Sequence, residues 1–204
     1  MSYKLITGPA GYPVTVDEAR DWVGLRSGNT SHDTKLALLI SGATEWVESV
    51  TGIDLVERTW NIRFDRFPFG NGDIEISKYP VQEIISITYI DDLTASPQTD
   101  TVATSVFALD EGLTPSIVYL KPNQSWPSAV CAHNSVTVQF KSGYAPSESS
   151  SPVDHGANVP SDLKIAILMV VADCFEHREA NLDFKTYENK AVEAMLAAKR
   201  IIEL

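Results

Sequence analysis

Long apolar runs are missing from this 204-residue chain. None approaches the roughly 18 residues that span a bilayer. The opening MSYKLITGPAGYPVT holds no apolar segment of signal-peptide length. No membrane association is expected, and the chain reads as a soluble protein made in a cytoplasm. Cysteine is nearly missing too. Cys131 and Cys174 are the two present, and distant cysteines in such a chain read as free thiols. Cys174 sits in an apolar helical pattern, where cysteine behaves as a small core residue. Positive charge is scarce: 16 Lys and Arg stand against 27 Asp and Glu, for a net charge of −11, and the basic residues form no cluster. Proteins that grip nucleic acid show a basic face, because neutralising phosphates supplies most of the affinity. Tight DNA binding is therefore disfavoured. An acidic surface that DNA passes without sticking fits the charge, as does charge serving solubility alone.

The constellations of chemistry are also missing. Gly8-Pro9-Ala10-Gly11 lacks the Lys-Ser/Thr of a phosphate loop and follows no expected strand. There is no G-x-S-x-G elbow. Asp173, Glu176, His177 and Glu179 share one helix, and Asp173 and His177 are spaced to face one ion. A zinc site wants three or four ligands, however, and His32, His133 and His155 lie in loop-like contexts without matching spacing. A polar stripe at a helix end explains the group. Trp126-Pro127 could stack a sugar, but a Trp beside Pro is more often a packing anchor. No cofactor, metal or catalytic residue is assigned, and no enzyme activity is expected.

What is present is two kinds of periodicity. Thr15 and Glu18 have capping-box spacing at the start of a first helix bearing Ala19, Trp22 and Val23. The second helix carries Leu36, Leu39, Ile40, Ala43, Trp46, Val47 and Val50 at 3–4 spacing, with Ser31 or Asp33 as its cap and Gly52 as its stop. From Val56 the period changes to two. Residues 59–64, 74–76, 81–90, 116–120 and 135–140 read as strands, with Ile85, Ile87 and Tyr89 on one side of the third. Residues 91–105, rich in Thr, Ser, Asp and Ala, read as a long mobile loop, and 145–158 as a flexible linker. A third helix starts near Pro160-Ser161-Asp162. Leu163, Ile167, Val170, Val171 and Cys174 form one face, and Ile165, Leu168 and Met169 cover much of the rest. A helix apolar on most sides is buried on most sides, in a core or between subunits. A fourth helix is expected over 187–202, with Val192, Met195, Leu196 and Ile202 on an alanine-lined face.

Five ordered stretches resemble one family. They are Pro13-Val14-Thr15-Val16-Asp17-Glu18-Ala19-Arg20; Ala43 to Gly52 followed by Thr59-Trp60; Gln124-Ser125-Trp126-Pro127; Val136 to Gly143-Tyr144; and Val159-Pro160-Ser161-Asp162-Leu163 running on to Phe175-Glu176-His177-Arg178-Glu179. Together they are similar to the phage head-tail connectors of the gp6-like and phiE125-type groups. Cys174 and His177 stand where aromatic and Asn residues are common there, and the usual Pro before Arg200 is missing.

The resemblance implies a ring, commonly of twelve copies, in the virion neck. Such a ring lies beneath the portal protein, continues the DNA channel without binding DNA specifically, and offers a platform to a stopper or tail-side protein. The expected fold is α+β. A helical bundle (1–55 and 158–204) carries an inserted antiparallel β lobe (56–145), with 146–157 as linker. Val192, Met195, Leu196, Arg200, Ile201 and Ile202 are candidate portal contacts. Ile165, Leu168 and Met169 are candidate subunit contacts, and Asp91, Asp92 and Asp100 candidate channel or tail-side residues. A mostly β stopper or tail-completion protein, and an acidic ligand-binding or hydrolase domain, are the alternatives.

Overall fold

The computed structural model describes residues 2–26, 28–91, 99–112, 115–177 and 190–201. Both helices and antiparallel sheets are present, in two compact units. One comprises residues 2–9 and Glu57–Gly143, the other residues 10–56 and the described part of 144–201.

The first unit holds eight strands among the described residues: β1 (Ser2–Thr7), β2 (Arg58–Phe64), β3 (Ile74–Ile76), β4 (Val81–Ile90), β5 (Thr99–Thr101), β6 (Phe107–Asp110), β7 (Ser116–Leu120) and β8 (Val136–Ser142). They form a sheet ordered β1-β2-β8-β4-β5 and a smaller one ordered β3-β7-β6, antiparallel throughout. On β8, Val136, Val138, Phe140 and Ser142 are buried and alternate with half-buried residues, as a strand at the middle of a half-covered sheet requires. Ile62, Ile87, Val138 and Phe140 of the larger sheet share one core with Ile74, Ile76, Phe107 and Val118 of the smaller.

Three expectations need correction here. Residues 1–55 are not all helical core, because Ser2–Thr7 pairs along β2. Tyr3 fastens it, accepting a hydrogen bond from Ser77 N at 2.8 Å and meeting Trp60 and Phe140 edge-on. The loop expected over 91–105 contains β5, which pairs with the end of β4, and Val102 N donates to Ile87 O at 2.8 Å. Residues 92–98 of that loop lie outside the described residues. Ile85 does not share a face with buried Ile87: it is 41% exposed. A register shift between Ile84 and Ser86 inserts a residue there, and such a bulge turns the intervening side chain outward.

The second unit contains α1 (Val16–Trp22), α2 (Asp33–Thr51), α3 (Ser161–Glu176) and α4 (Lys190–Ala197). α2 packs on α3, and α1 and α4 each pack against both. Leu36, Ile40, Ala43 and Val47 of α2 meet Leu163, Ala166, Ile167 and Val171 of α3 in the core. The start of α2 differs from expectation. His32 occupies the N-cap with no side-chain cap bond, while Asp33 turns to Arg20 instead. Its end is as read, with Gly52 left-handed at φ 74°. The segment 146–157 is tied to itself. Ser147 and Asp154 pair as a bridge, Ser150 Oγ donates to Ser147 O at 2.9 Å, and Gly156 N donates to Asp154 Oδ1 at 2.8 Å.

Candidate functional surfaces

The Pro13–Arg20 stretch is a joint. Pro13, Val14 and Ala19 are buried. Thr15 caps α1 through Glu18 N, and Glu18 returns its carboxylate to Thr15 N at 2.7 Å. Glu18 also receives Lys164 Nζ of α3 at 2.9 Å. Partial burial opposes the charged form of Glu18, yet the Thr15 hydrogen bonds and the Lys164 ammonium prevail and hold its carboxyl below the usual value. Arg20 closes the joint from the other side, with two 2.8 Å bonds from Nη2 to the Asp33 carboxylate. Pro13, Val14, Thr15, Glu18, Ala19 and Arg20 therefore all serve packing, capping or pairing within the unit.

The candidate contact residues fall in different places. Val192 and Leu196, each 1% exposed, fill the second unit's own core. This removes them as portal contacts, because the short α4 needs them to dock. Met195 is half-buried, and Arg200 is exposed. The helix expected to run to 202 ends at Ala197. Beyond it Ile201 N donates to Thr51 O at 3.0 Å, which ties the terminal segment to the end of α2. Ile202, and residues 187–189 and Glu179 of the expected helices, lie outside the described residues. On α3, Leu168 is buried and Met169 half-buried, while Ile165 is 37% exposed. Of these three, Ile165 is the most available to a neighbour.

Two stronger apolar features were not singled out from the sequence. The first is a groove of about 510 Å³ where α2, α3 and α4 meet, lined by Leu38, Leu39, Ala43, Trp46, Val170 and Cys174. Asp173 and Glu193 border it. Trp46 and Cys174, expected in the core, are exposed here, while Leu36, Ile40, Ala43 and Val47 of the α2 stripe are buried. Burial and the neighbouring Asp173 push the Cys174 thiol up. The second feature is Phe69, 78% exposed on a 3₁₀ turn (Phe69–Asn71), with the Arg66 guanidinium 4.2 Å from its ring centre. Trp126 anchors that turn. It stacks on Phe67 at 5.1 Å, and its indole Nε1 donates to Gly72 O at 2.9 Å, so Trp126-Pro127 is a packing element.

Asp91 and Asp100 are both exposed, and Asp100 stands opposite Tyr89 on β5. Desolvation, with the two carboxylates adding to it, raises the Tyr89 phenol above its ordinary value. Asp92 lies outside the described residues. Asp173 and His177 pair with one another at 3.1 Å, and no group of three metal-ligating side chains gathers among the described residues. Nor is any described helix long and apolar enough to cross a membrane.

No family model matches the chain. One curated relative, the head completion protein gp6 of Enterobacteria phage HK97, is 46% identical over 44 residues, which are 22% of this chain and 41% of that protein. The match thus spans about two fifths of the relative's length. Among solved structures, a chain in the neck of an empty gene transfer agent (GTA) particle, determined with C6 symmetry, superposes with a TM-score of 0.76 at 17% identity. A chain of the native GTA virion gives 0.76 at 19%. A chain in the native GTA neck, determined with C12 symmetry, gives 0.74 at 20%. All three superpositions cover 100% of this chain and 97% of the other. The resemblance of this chain to the phage head-tail connectors therefore rests on a short stretch of shared sequence and on a fold shared from end to end with chains of phage-like necks and virions.

Proposed function

We propose that this chain is a structural subunit of the head-tail neck of a tailed phage or phage-like particle. Copies form a ring, of twelve by analogy with the C12 neck, beneath the portal. The ring continues the DNA channel and presents a platform to a stopper or tail-side protein. The observation that carries this reading is the fold match over the whole chain to a GTA neck chain. The acidic charge of −11 supports it, since like charge keeps passing DNA from adhering.

In this reading the helical unit forms the ring, with Ile165 and Met169 of α3 toward neighbours. α4 and the segment after it reach the portal through Met195, Arg200, Ile201 and Ile202. Mixing the purified protein with its portal protein and imaging by electron microscopy tests it. A ring stacked on the narrow end of the portal is expected; a portal that stays bare overturns it. Removing residues 200–204 is expected to abolish stacking and leave the fold intact, because Val192 and Leu196 remain in place.

A further inference from the structure

The groove and Phe69 are both apolar and carry opposite charges beside them. The groove is concave, apolar and edged by Asp173 and Glu193. Phe69 is largely exposed, apolar and accompanied by Arg66. Phe69 is also held ready: Trp126 N donates to Asn71 Oδ1 at 3.3 Å and its indole donates to Gly72 O, so the turn keeps its form without a partner. A pre-formed aromatic loses little freedom on docking, and buried aromatic and Arg residues dominate interface energetics. A groove of about 510 Å³ is in the size range that encloses a ring and its neighbours.

We propose that the Phe69 turn of one copy seats in the α2–α3–α4 groove of the next copy, with Arg66 meeting Glu193. The inference rests on the ring reading above and adds to its α3 contacts one from the first unit of one copy to the helical unit of the next. The contact joins two different patches of the same chain. Such a head-to-tail contact closes into a ring when the rotation per copy allows it. Stable pairwise complexes bury about 1,600 Å² in total, far more than one aromatic turn covers. Isolated copies therefore stay monomeric, and the contact holds once ring closure or the portal supplies a second attachment.

The chain carries its own reporters. Cys131 borders the hollow beside Phe69, Cys174 lines the groove, and both are exposed free thiols. Treating portal-bound rings with a short bis-maleimide at mildly alkaline pH is expected to join Cys131 of one copy to Cys174 of the next. The product is a ladder of covalent oligomers, abolished by Cys131→Ser or Cys174→Ser. Phe69→Asp is expected to lower ring yield on the portal at least tenfold with an unchanged melting temperature. Arg66→Glu is expected to lower it less, and Arg66→Glu combined with Glu193→Arg to restore it. Full rings from Phe69→Asp, or Cys174 crosslinked to the portal or a tail-side protein in place of Cys131, would overturn this contact while the ring reading stands. A wild-type protein that forms no ring on its portal would overturn both.

Discussion

Thr15 and Glu18 hold one another across the first turn of α1, and Lys164 leans on the same carboxylate from α3. Thr15→Ala removes a helix cap and should cost about 1 kcal/mol in urea unfolding. Glu18→Gln adds a pH signature. Because the folded carboxyl titrates below its unfolded value, the charged form contributes stability above the unfolded pKa. That contribution disappears as pH falls through the lowered folded pKa. The wild type should unfold at higher urea than Glu18→Gln at neutral pH, and the two midpoints should converge in acid; a gap independent of pH would refute the linkage. Gly156 faces a different constraint. A Cβ there would lie 2.1 Å from Pro13 O, so the segment before α3 lies against the residues before α1 only with glycine at this position. Gly156→Ala should lower stability by about 1–3 kcal/mol through overpacking, read as a drop in melting temperature.

Elements differ in how much of themselves the sequence discloses. α1, the stop of α2 at Gly52, β2 and β8 were legible because each carries a local signal: a capping box, a left-handed glycine, or strict alternation. β1, β5 and β6 were not. They are six, three and four residues long, and their identity comes from the strand beside them. The same limit hid the groove. The stripe Leu36 to Val50 shows which residues of α2 are apolar, but α3 uses only part of that stripe, which leaves Trp46 outside, beside Leu38, which the stripe did not include. α4 gives the reverse case, because Val192 and Leu196, read as candidate portal contacts, are buried. Leu196→Ala should therefore cost about 2–5 kcal/mol, the range for truncating a buried leucine. Arg200→Glu, on an exposed side chain, should leave the melting temperature unchanged and weaken portal stacking. A reversed pattern, with Leu196→Ala harmless to stability, would return Leu196 to the surface set.

At the scale of the whole molecule the dominant fact is charge. With −11 on 204 residues, this chain has little means to hold duplex DNA by charge, because affinity for DNA grows with the number of phosphates a protein neutralises. That composition disfavoured a nucleic-acid grip from the sequence alone, whereas which acids would face passing DNA depends on assembly and was beyond any local pattern. Asp91 and Asp100 are the described members of the channel-facing candidates. Both act on Tyr89, so the pair concentrates negative charge at a single edge of the larger sheet. Replacing both with lysine reverses the local charge without touching a buried residue. The double variant should fold and join the ring as the wild type does, since neither carboxylate is needed in the core. If this edge lines the channel, particles carrying the variant should release their genome more slowly at low salt than at high salt, because the added cations attract phosphate and salt screens that attraction. Release kinetics equal to wild type at every salt concentration would place Asp91 and Asp100 away from the DNA path, toward the tail-side protein or solvent.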